Sequence, residues 1–184
     1  KLSALRDDLL VRGAARVETA VADLTDIERH QRVVEEAKKS LGTLDQVLIA
    51  YGVLGDQTAS ETSVETTLRD WQVNATSTIA LLTLLANELE RQRFGTLAVI
   101  SSVAGDRGRQ SNYVYGAAKA ALSTFLSGLR ARLSKANVRV ITIKPGMVDT
   151  PMTAHLKKGP LFAPPEKVGQ DIHQAMLRGR SVVY

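Results

Sequence analysis

The sequence of 184 residues contains no cysteine, one tryptophan and only three histidines. The absence of cysteine excludes disulfide bonds and thiolate metal sites, which fits a reducing compartment, and we therefore expect a cytoplasmic location. The histidines, His30, His155 and His173, lie far apart and lack the spacing of metal ligands. We therefore expect no metal site.

Long apolar runs and blocks of like charge are also missing. The longest apolar stretch, residues 79–86, is far shorter than the roughly 18 residues that suggest a membrane span. The net charge of +5 is spread over mixed acidic and basic side chains, which speaks against nucleic-acid binding. With 44% apolar residues, the chain is long enough for one hydrophobic core. We predict a single domain over residues 1–184.

Strand patterns and helix patterns alternate along the chain. Strands are predicted at residues 16–22, 44–50, 96–102, 138–143 and from 181 onward. Helices are predicted at residues 1–11, from Thr25 or Asp26 to 41, at 64–94, around Tyr115 and at 165–177. The buried stripe of the 64–94 helix is expected to run from Leu68 to Leu89. Continuous apolar strands between helices indicate a three-layer, doubly wound parallel sheet, an α/β Rossmann-like fold.

A phenol and an ammonium stand one helical turn apart at Tyr115 and Lys119, so they point the same way. Such a pair suits proton transfer at an oxygen. An ammonium about 4 Å away is expected to lower the Tyr115 pKa, against the opposing effect of burial. An isolated pair of this kind is more often two ordinary surface residues. Here the preceding strand ends in Ser101 and Ser102, so a hydroxyl and the phenol can meet over one substrate oxygen.

Further unusual residues fall where the predicted strands end. Asp23, residues 50–52, Ser101 with Ser102, and residues 145–146 each follow an apolar run. In an open parallel sheet, ligands bind beyond the carboxyl ends of the strands. We therefore expect these residues to converge on one edge of the sheet and to form a ligand site there.

With these residues in place, the sequence resembles the short-chain dehydrogenase/reductase family over essentially its whole length. Tyr115-x-x-x-Lys119 matches the active-site motif of the family, and Ser102 and Asn74 stand at its other catalytic positions. The resemblance implies that Tyr115 exchanges a proton with the substrate oxygen, which Ser102 holds. Lys119 would lower the Tyr115 pKa and bind the nicotinamide ribose. Asn74 would hold a water that connects Lys119 to solvent.

The same resemblance implies a nicotinamide dinucleotide, NAD or NADP, between which these residues do not distinguish. Asp23-Leu24 matches the acidic position that touches the adenine ring, and residues 145–150 match the P-G-x-x-x-T segment that contacts nicotinamide. The implied cofactor contacts are Asp23, Leu24, Ala50, Tyr51, Gly52, Tyr115, Lys119, Pro145, Gly146, Val148 and Thr150.

Two features depart from the family pattern. The glycine-rich turn T-G-x-x-x-G-x-G and the strand that selects between NAD and NADP are absent. We expect that about one βαβ unit, roughly 30 or more residues, precedes Lys1. The alternative is a truncated fragment that binds dinucleotide poorly. The second departure is at residues 49–52, where the family has N-N-A-G: Gly52 keeps the close backbone approach, but Ile49 replaces the asparagine that ties neighbouring strands together.

A narrower likeness covers roughly residues 45 to 160, which are similar to the reductase subunits of decaprenylphosphoryl-ribose 2-epimerases. This likeness implies reduction of a 2-keto pentofuranose on a polyprenyl phosphate, and with it a peripheral association with membranes. Arg107, Arg109, Lys157 and Lys158 are placed to meet a substrate phosphate, although solvated loop charges are the alternative.

These residues suggest three alternative functions. The first is an NAD(P)-dependent oxidoreductase acting on a ketone or secondary alcohol, and the second is a non-catalytic dinucleotide-sensing or partner-binding protein, which would not need all four catalytic residues. The third, a serine hydrolase using Ser102, lacks a G-x-S-x-G elbow and an evident histidine partner. Apolar and small residues on the 64–94 and Tyr115 helices predict a homodimer or homotetramer, with burial inside the monomer as the alternative.

Overall fold

A computed structural model describes residues 2–184 and contains a central parallel sheet. The strands are β1 (Gln46–Ile49), β2 (Gly95–Ile100), β3 (Val138–Ile143), β4 (Met147–Val148), β5 (Phe162–Ala163) and β6 (Val182–Val183). Four of them form the sheet in the order β1-β2-β3-β6, and every neighbouring pair is parallel. The other two, β4 and β5, follow β3 in the chain and pair with each other in a separate small parallel ribbon. The predicted parallel sheet is therefore confirmed.

Helices cover both faces of this sheet. They are α1 (Leu2–Val11), α2 (His30–Leu41), α3 (Gln57–Thr62), α4 (Val64–Trp71), α5 (Ser77–Gln92), α6 (Tyr113–Ser134) and α7 (Pro165–Arg178). One face packs against α5 and α6 through fully buried leucines such as Leu82, Leu97 and Leu126. The opposite face packs Ile141 against Met176 of α7. Side chains alternate across a strand, so both faces of the buried strands are apolar, as the continuous runs predicted.

The predicted strand at residues 16–22 is wrong. These residues form no strand, and Val21 is 91% exposed. A strand is stable only when its backbone groups pair with a neighbour, and no strand of residues 2–184 lies beside this segment. The alternating sequence pattern identifies the residues suited to a strand but cannot supply the partner.

The predicted continuous helix at 64–94 is also corrected. A turn of π-helix at Gln72–Thr76 separates α4 from α5, and the additional helix α3 precedes them. A π turn takes up more residues than an α turn, so it rotates the apolar stripe before it relative to the stripe after it. Consequently Leu68, expected in the buried stripe, is 61% exposed, whereas Leu82 and Leu89 are fully buried.

Candidate active site

The carboxyl ends of β1, β2 and β3 lie at one edge of the sheet, and backbone hydrogen bonds join the segments that follow them. The amide of Ser101 donates to the carbonyl of Ile143 at 2.7 Å, and the amide of Val103 donates to the carbonyl of Pro145 at 3.2 Å. The serines that end β2 therefore lie beside residues 145–146, as the sequence predicted.

Two glycines allow the turn after Ser102 to press against α6. A side chain at Gly105 would begin 2.7 Å from the backbone nitrogen of Ala120, and one at Gly116 would begin 2.7 Å from the carbonyl oxygen of Ala104. These separations are too short for any Cβ atom, so only glycine allows the turn and the helix to approach this closely. The close approach holds Ser102 next to the first turn of α6, which carries Tyr115.

Hydroxyl groups fix the backbone of Lys119 to the end of β2. The Ser101 hydroxyl donates to the Lys119 carbonyl at 3.0 Å and lies 2.8 Å from the Ser123 hydroxyl. The ammonium of Lys119 donates to the carbonyl of Ile100 at 3.2 Å, and the residue is only 3% exposed. One N–H of the ammonium is thus used, and the other two are available to a ligand hydroxyl.

The π turn carries Asn74, whose amide is fully buried beneath the loop that follows β1. Its Nδ2 donates to the carbonyls of Val53 (2.9 Å) and Asp70 (3.0 Å), and its Oδ1 accepts from the Val53 amide at 3.1 Å. A side chain at Gly52 would begin 2.9 Å from Asn74 Oδ1 and 3.4 Å from Lys119 Nζ. Gly52 therefore lies between the asparagine and the lysine, and its lack of a side chain keeps that space open.

Burial dominates the electrostatics of Tyr115 and Lys119. Burial raises the pKa of Tyr115 above its ordinary value, and the neighbouring Ser102 hydroxyl opposes that rise through a hydrogen bond. Burial also lowers the pKa of Lys119 to about 8. The ammonium lies 5.6 Å from the centre of the Tyr115 ring. Burial therefore decides the direction of the Tyr115 pKa in this arrangement, and the lowering by Lys119 that the sequence predicts stays a prediction.

On the adenine side of the predicted site, Asp23 is exposed and its carboxylate is held by Thr25. The Asp23 Oδ1 accepts from the Thr25 amide at 2.9 Å and from the Thr25 hydroxyl at 2.7 Å. Both bonds lower the pKa of Asp23, and the bond from the Thr25 hydroxyl has the larger effect. The phenol of Tyr51 reaches the Ser77 hydroxyl at 2.9 Å, and Ser77 in turn bonds the carbonyl of Leu24. Leu24 and Tyr51 are thereby connected through α5.

Other predicted cofactor contacts lie at the same edge, but their hydrogen bonds go to residues outside the four predicted catalytic positions. Val148 is in β4, and Thr150 caps the short turn at residues 151–153, where its amide donates to the Thr153 hydroxyl at 3.2 Å. Ala50 is exposed directly after β1, while Ile49 is buried in the core. The loss of the inter-strand asparagine at position 49 is thus accompanied by apolar packing there.

The predicted phosphate-binding cations are exposed. Arg107 and Arg109 lie on the surface loop before α6, and Lys157 is also exposed. Lys158 forms an ion pair with Asp149 at 2.6 Å. Three of these four cations therefore have no ion-pair partner among residues 2–184.

Several residues that shape the site were not singled out for it from the sequence. Ser123 stands one helical turn after Lys119, a spacing that could have indicated its role. Ser77 and the fully buried His30 carry no such signal, because their contacts with Leu24 join segments far apart in sequence. In the part of the chain that the structure describes, no helix is long and apolar enough to cross a membrane, and no cluster of three metal-ligating side chains occurs.

The residues present fit a dinucleotide at this edge. The open space over Gly52, the unused N–H groups of the buried Lys119 and the ordered Asp23 carboxylate are each suited to a part of such a molecule.

Comparison with known proteins gives both sequence and fold matches. A family model described as short chain dehydrogenase matches residues 2–160. An uncharacterized oxidoreductase of Mycobacterium tuberculosis is 36% identical over 172 residues, which cover 94% of this chain and 69% of that protein. The crystal structure of levodione reductase matches with a TM-score of 0.77 at 24% identity, over 82% of this chain and 59% of that chain. A short chain dehydrogenase from Burkholderia cenocepacia, in complex with NADP, matches with a TM-score of 0.82 at 22% identity, over 99% and 81% of the two chains.

Proposed function

Because the chain belongs to the short chain dehydrogenase family, we propose that it is an oxidoreductase that uses NAD or NADP to interconvert a ketone and a secondary alcohol. The observation that supports this most strongly is the cluster of Ser102, Tyr115, Lys119 and Asn74 around the open space at Gly52. The structure of the Burkholderia relative contains NADP. We propose that a nicotinamide dinucleotide occupies the corresponding edge of this chain.

Each of the four residues has a proposed role. The Ser102 hydroxyl holds the substrate oxygen by a hydrogen bond, and the Tyr115 phenol donates a proton to that oxygen during reduction or removes it during oxidation. The bound nicotinamide supplies the hydride during reduction and accepts it during oxidation. A phenol is protonated at neutral pH, and burial, which raises the pKa of Tyr115, favours this form further. The protonated form suits the role of the acid in reduction.

The buried Lys119 and Asn74 complete this arrangement. The two unused N–H groups of Lys119 bind the hydroxyls of the nicotinamide ribose. The Nδ2 of Asn74 has both hydrogens engaged, whereas its Oδ1 accepts one bond from Val53 and retains a second lone pair beside Gly52. We assign to that lone pair a water that passes protons from solvent toward Lys119, which agrees with the role implied by the family resemblance.

The substrate that we propose is a keto-sugar carried on a polyprenyl phosphate. A cavity of about 560 Å³ lies beside the first turn of α6, and the side chains that line it are all polar: Gln57, Thr58, Glu61, Gln110 and Ser111. Amides, hydroxyls and a carboxylate suit the hydroxyl groups of a sugar. The carrier phosphate would meet Arg107 and Arg109 on the adjoining loop, and a lipid carrier would bring the protein to a membrane surface.

Replacement of both Arg107 and Arg109 by Gln tests the phosphate contact. We expect a higher KM for a phosphorylated keto-sugar and an unchanged KM for a neutral ketone, because only the first substrate carries the charge. Equal effects on the two substrates would rule the contact out.

We further propose that residues 1–184 act as one domain and that the protein is cytoplasmic.

We also propose that a second copy of the chain packs on α5 and α6. A groove of about 430 Å³ runs between these two helices. Its lining contains Phe125, Gly128 and Leu129, which suit helix packing across a symmetry axis. Sedimentation analysis should give a dimer or tetramer, and a monomer at micromolar concentration would contradict the proposed assembly.

The proton-transfer assignment is tested by Tyr115→Phe, with Tyr113→Phe as the matched control on the same helix. We expect Tyr115→Phe to lower kcat at least a hundredfold and to leave cofactor affinity nearly unchanged. The control should keep wild-type kcat, because Tyr113 is exposed at the start of α6. A Tyr115→Phe variant that keeps a tenth of the wild-type rate would exclude the assignment. A wild-type protein that binds the dinucleotide but turns over no carbonyl compound would favour the sensing alternative.

A further inference from the structure

A buried chain of hydrogen bonds surrounds the carbonyl of Leu24 and includes none of the four proposed catalytic residues. The carbonyl of Leu24 accepts from the Ser77 hydroxyl and, at 2.7 Å, from Nε2 of His30. The phenol of Tyr51 lies 2.9 Å from the Ser77 hydroxyl. His30 and Ser77 are fully buried, so no solvent competes for these bonds.

The direction of every bond in this chain follows from the carbonyl at its centre. A carbonyl only accepts, so the Ser77 hydroxyl must donate to Leu24 and has no hydrogen left for Tyr51. The Tyr51 phenol therefore donates to Ser77. For the same reason, Nε2 of His30 carries a hydrogen and donates it. The other ring nitrogen is Nδ1. That Nδ1 is buried and has no partner among the described residues.

These bonds fix Leu24, which the residues before it in the chain do not fix. Residues 14–23 form neither helix nor strand. Thr25, on the other side of Leu24, is tied to the π turn, because Nε2 of Gln72 donates to its carbonyl at 3.3 Å. The position of the Asp23-Leu24 pair is therefore set from the side of α2, the π turn and α5. Tyr51 contributes its phenol to these contacts by bonding Ser77. It stands in the loop after β1, at a position where the family pattern has alanine.

We propose that Tyr51, Ser77 and His30 are positioning residues for the adenine half of the dinucleotide. By fixing the Leu24 carbonyl, they fix the neighbouring Asp23 carboxylate and the Leu24 main chain, which are the groups expected to meet the adenine ring. This inference rests on the proposed function, because it takes the dinucleotide site as given. It assigns no role in proton or hydride transfer to these three residues.

The binding test compares 5′-AMP with nicotinamide mononucleotide by NMR titration. Tyr51→Phe removes one hydrogen bond and keeps the ring, and Tyr113→Phe is the control. We expect the affinity of Tyr51→Phe for 5′-AMP to fall about fivefold, with no change for nicotinamide mononucleotide. Equal losses for both ligands, or no loss for either, would overturn the inference. Wild-type protein that binds neither ligand would overturn the proposed cofactor as well, so the two failures are distinguishable.

A pair of variants at His30 separates positioning from simple packing. His30→Gln can still donate a side-chain N–H to the Leu24 carbonyl, whereas His30→Leu cannot. We expect the Gln variant to bind 5′-AMP more tightly than the Leu variant. The same order in thermal stability without any difference in 5′-AMP affinity would mean a merely structural role and would overturn the inference.

The ligand-free protein provides a second readout. Nitrogen-15 NMR of the wild-type imidazole should report a hydrogen on Nε2 of His30, which the contact with the Leu24 carbonyl requires. Amide hydrogen exchange at Thr25 should be faster in Tyr51→Phe than in Tyr113→Phe, because the Ser77 hydroxyl that bonds Leu24 then loses the bond that holds it in place. An Nε2 without a hydrogen, or equal exchange in the two variants, would contradict the arrangement on which the inference depends.

Discussion

Replacement of Lys119 by Met is expected to stabilise the protein while it abolishes turnover. Lys119 is almost completely buried, and within residues 2–184 the one hydrogen bond of its ammonium is to the carbonyl of Ile100. Met fills a similar volume without a charge, so the variant removes a desolvated ammonium and leaves the packing nearly intact. The buried ammonium therefore lowers the free energy of unfolding, and the proposed function requires it nevertheless.

The magnitude follows from the pKa. Burial lowers the Lys119 pKa from 10.5 to about 8, which corresponds to about 3 kcal/mol lost from the free energy of unfolding below the lower of these values. The lost hydrogen bond to Ile100 offsets about 1 kcal/mol of the gain. Near pH 7, Lys119→Met should therefore unfold with a free energy about 2 kcal/mol higher than that of the wild type.

The sign of the pH dependence is the sharper test. Between pH 8 and pH 10.5 the unfolded chain binds more protons at Lys119 than the folded chain does, so wild-type stability rises with pH in this window. The advantage of Lys119→Met should shrink by about 2 kcal/mol from about pH 7 to about pH 10. Urea unfolding at both pH values measures this, with Lys39→Met as the exposed control. A variant that is less stable than wild type near pH 7, with a difference that does not change with pH, would refute the reasoning.

Two further predictions concern stability away from the chemistry. Gly55→Ala should destabilise the fold by at least about 1 kcal/mol. Gly55 has a φ of 76°, and the new methyl group would lie 2.8 Å from Cγ of Asp70. Gly108→Ala, with open space around it, is the control in the same urea assay. Arg130→Met should cost about 2 to 4 kcal/mol because it removes three hydrogen bonds of 2.8 Å to β3 and to the residue before β6, whereas Lys135→Met on the exposed end of α6 should change little. An effect of the same size in either control would contradict the corresponding account.

The architecture was predictable where periodicity and local chemistry agree. The apolar runs of β2 and β3 and the stripe of α6 are unambiguous, and α2 ends at Leu41, as predicted, before Gly42 with its positive φ. The convergence of residues 50–52, Ser101 with Ser102, and residues 145–146 followed from one rule about parallel strands.

The errors came from effects that a sequence pattern does not contain. Residues 16–22 have the right alternation but no neighbouring strand, so pairing decides the outcome and not propensity. The π turn around Asn74 shifts the helical phase by an amount that no spacing rule anticipates, which is why Leu68 is exposed.

The proximity of the predicted site residues followed from the sequence, whereas their electrostatics did not. The spacing of Tyr115 and Lys119 gives their proximity, but the direction of the Tyr115 pKa depends on burial, which the sequence gives only indirectly. The bonds of His30 and Ser77 to Leu24 depend on the packing of α2 and α5 and could only be read from the structure.

The most direct measurement of the central claim follows a labelled hydride. The wild-type protein is incubated with a keto-sugar and with NADH or NADPH in which deuterium replaces both hydrogens on the reactive carbon of the nicotinamide ring, and the reduced product is analysed by mass spectrometry. The account predicts one deuterium in each alcohol formed and none with Tyr115→Phe, which should form no alcohol above background. Oxidation of the cofactor without deuterium in the product, or labelled product formed equally well by Tyr115→Phe, would contradict it.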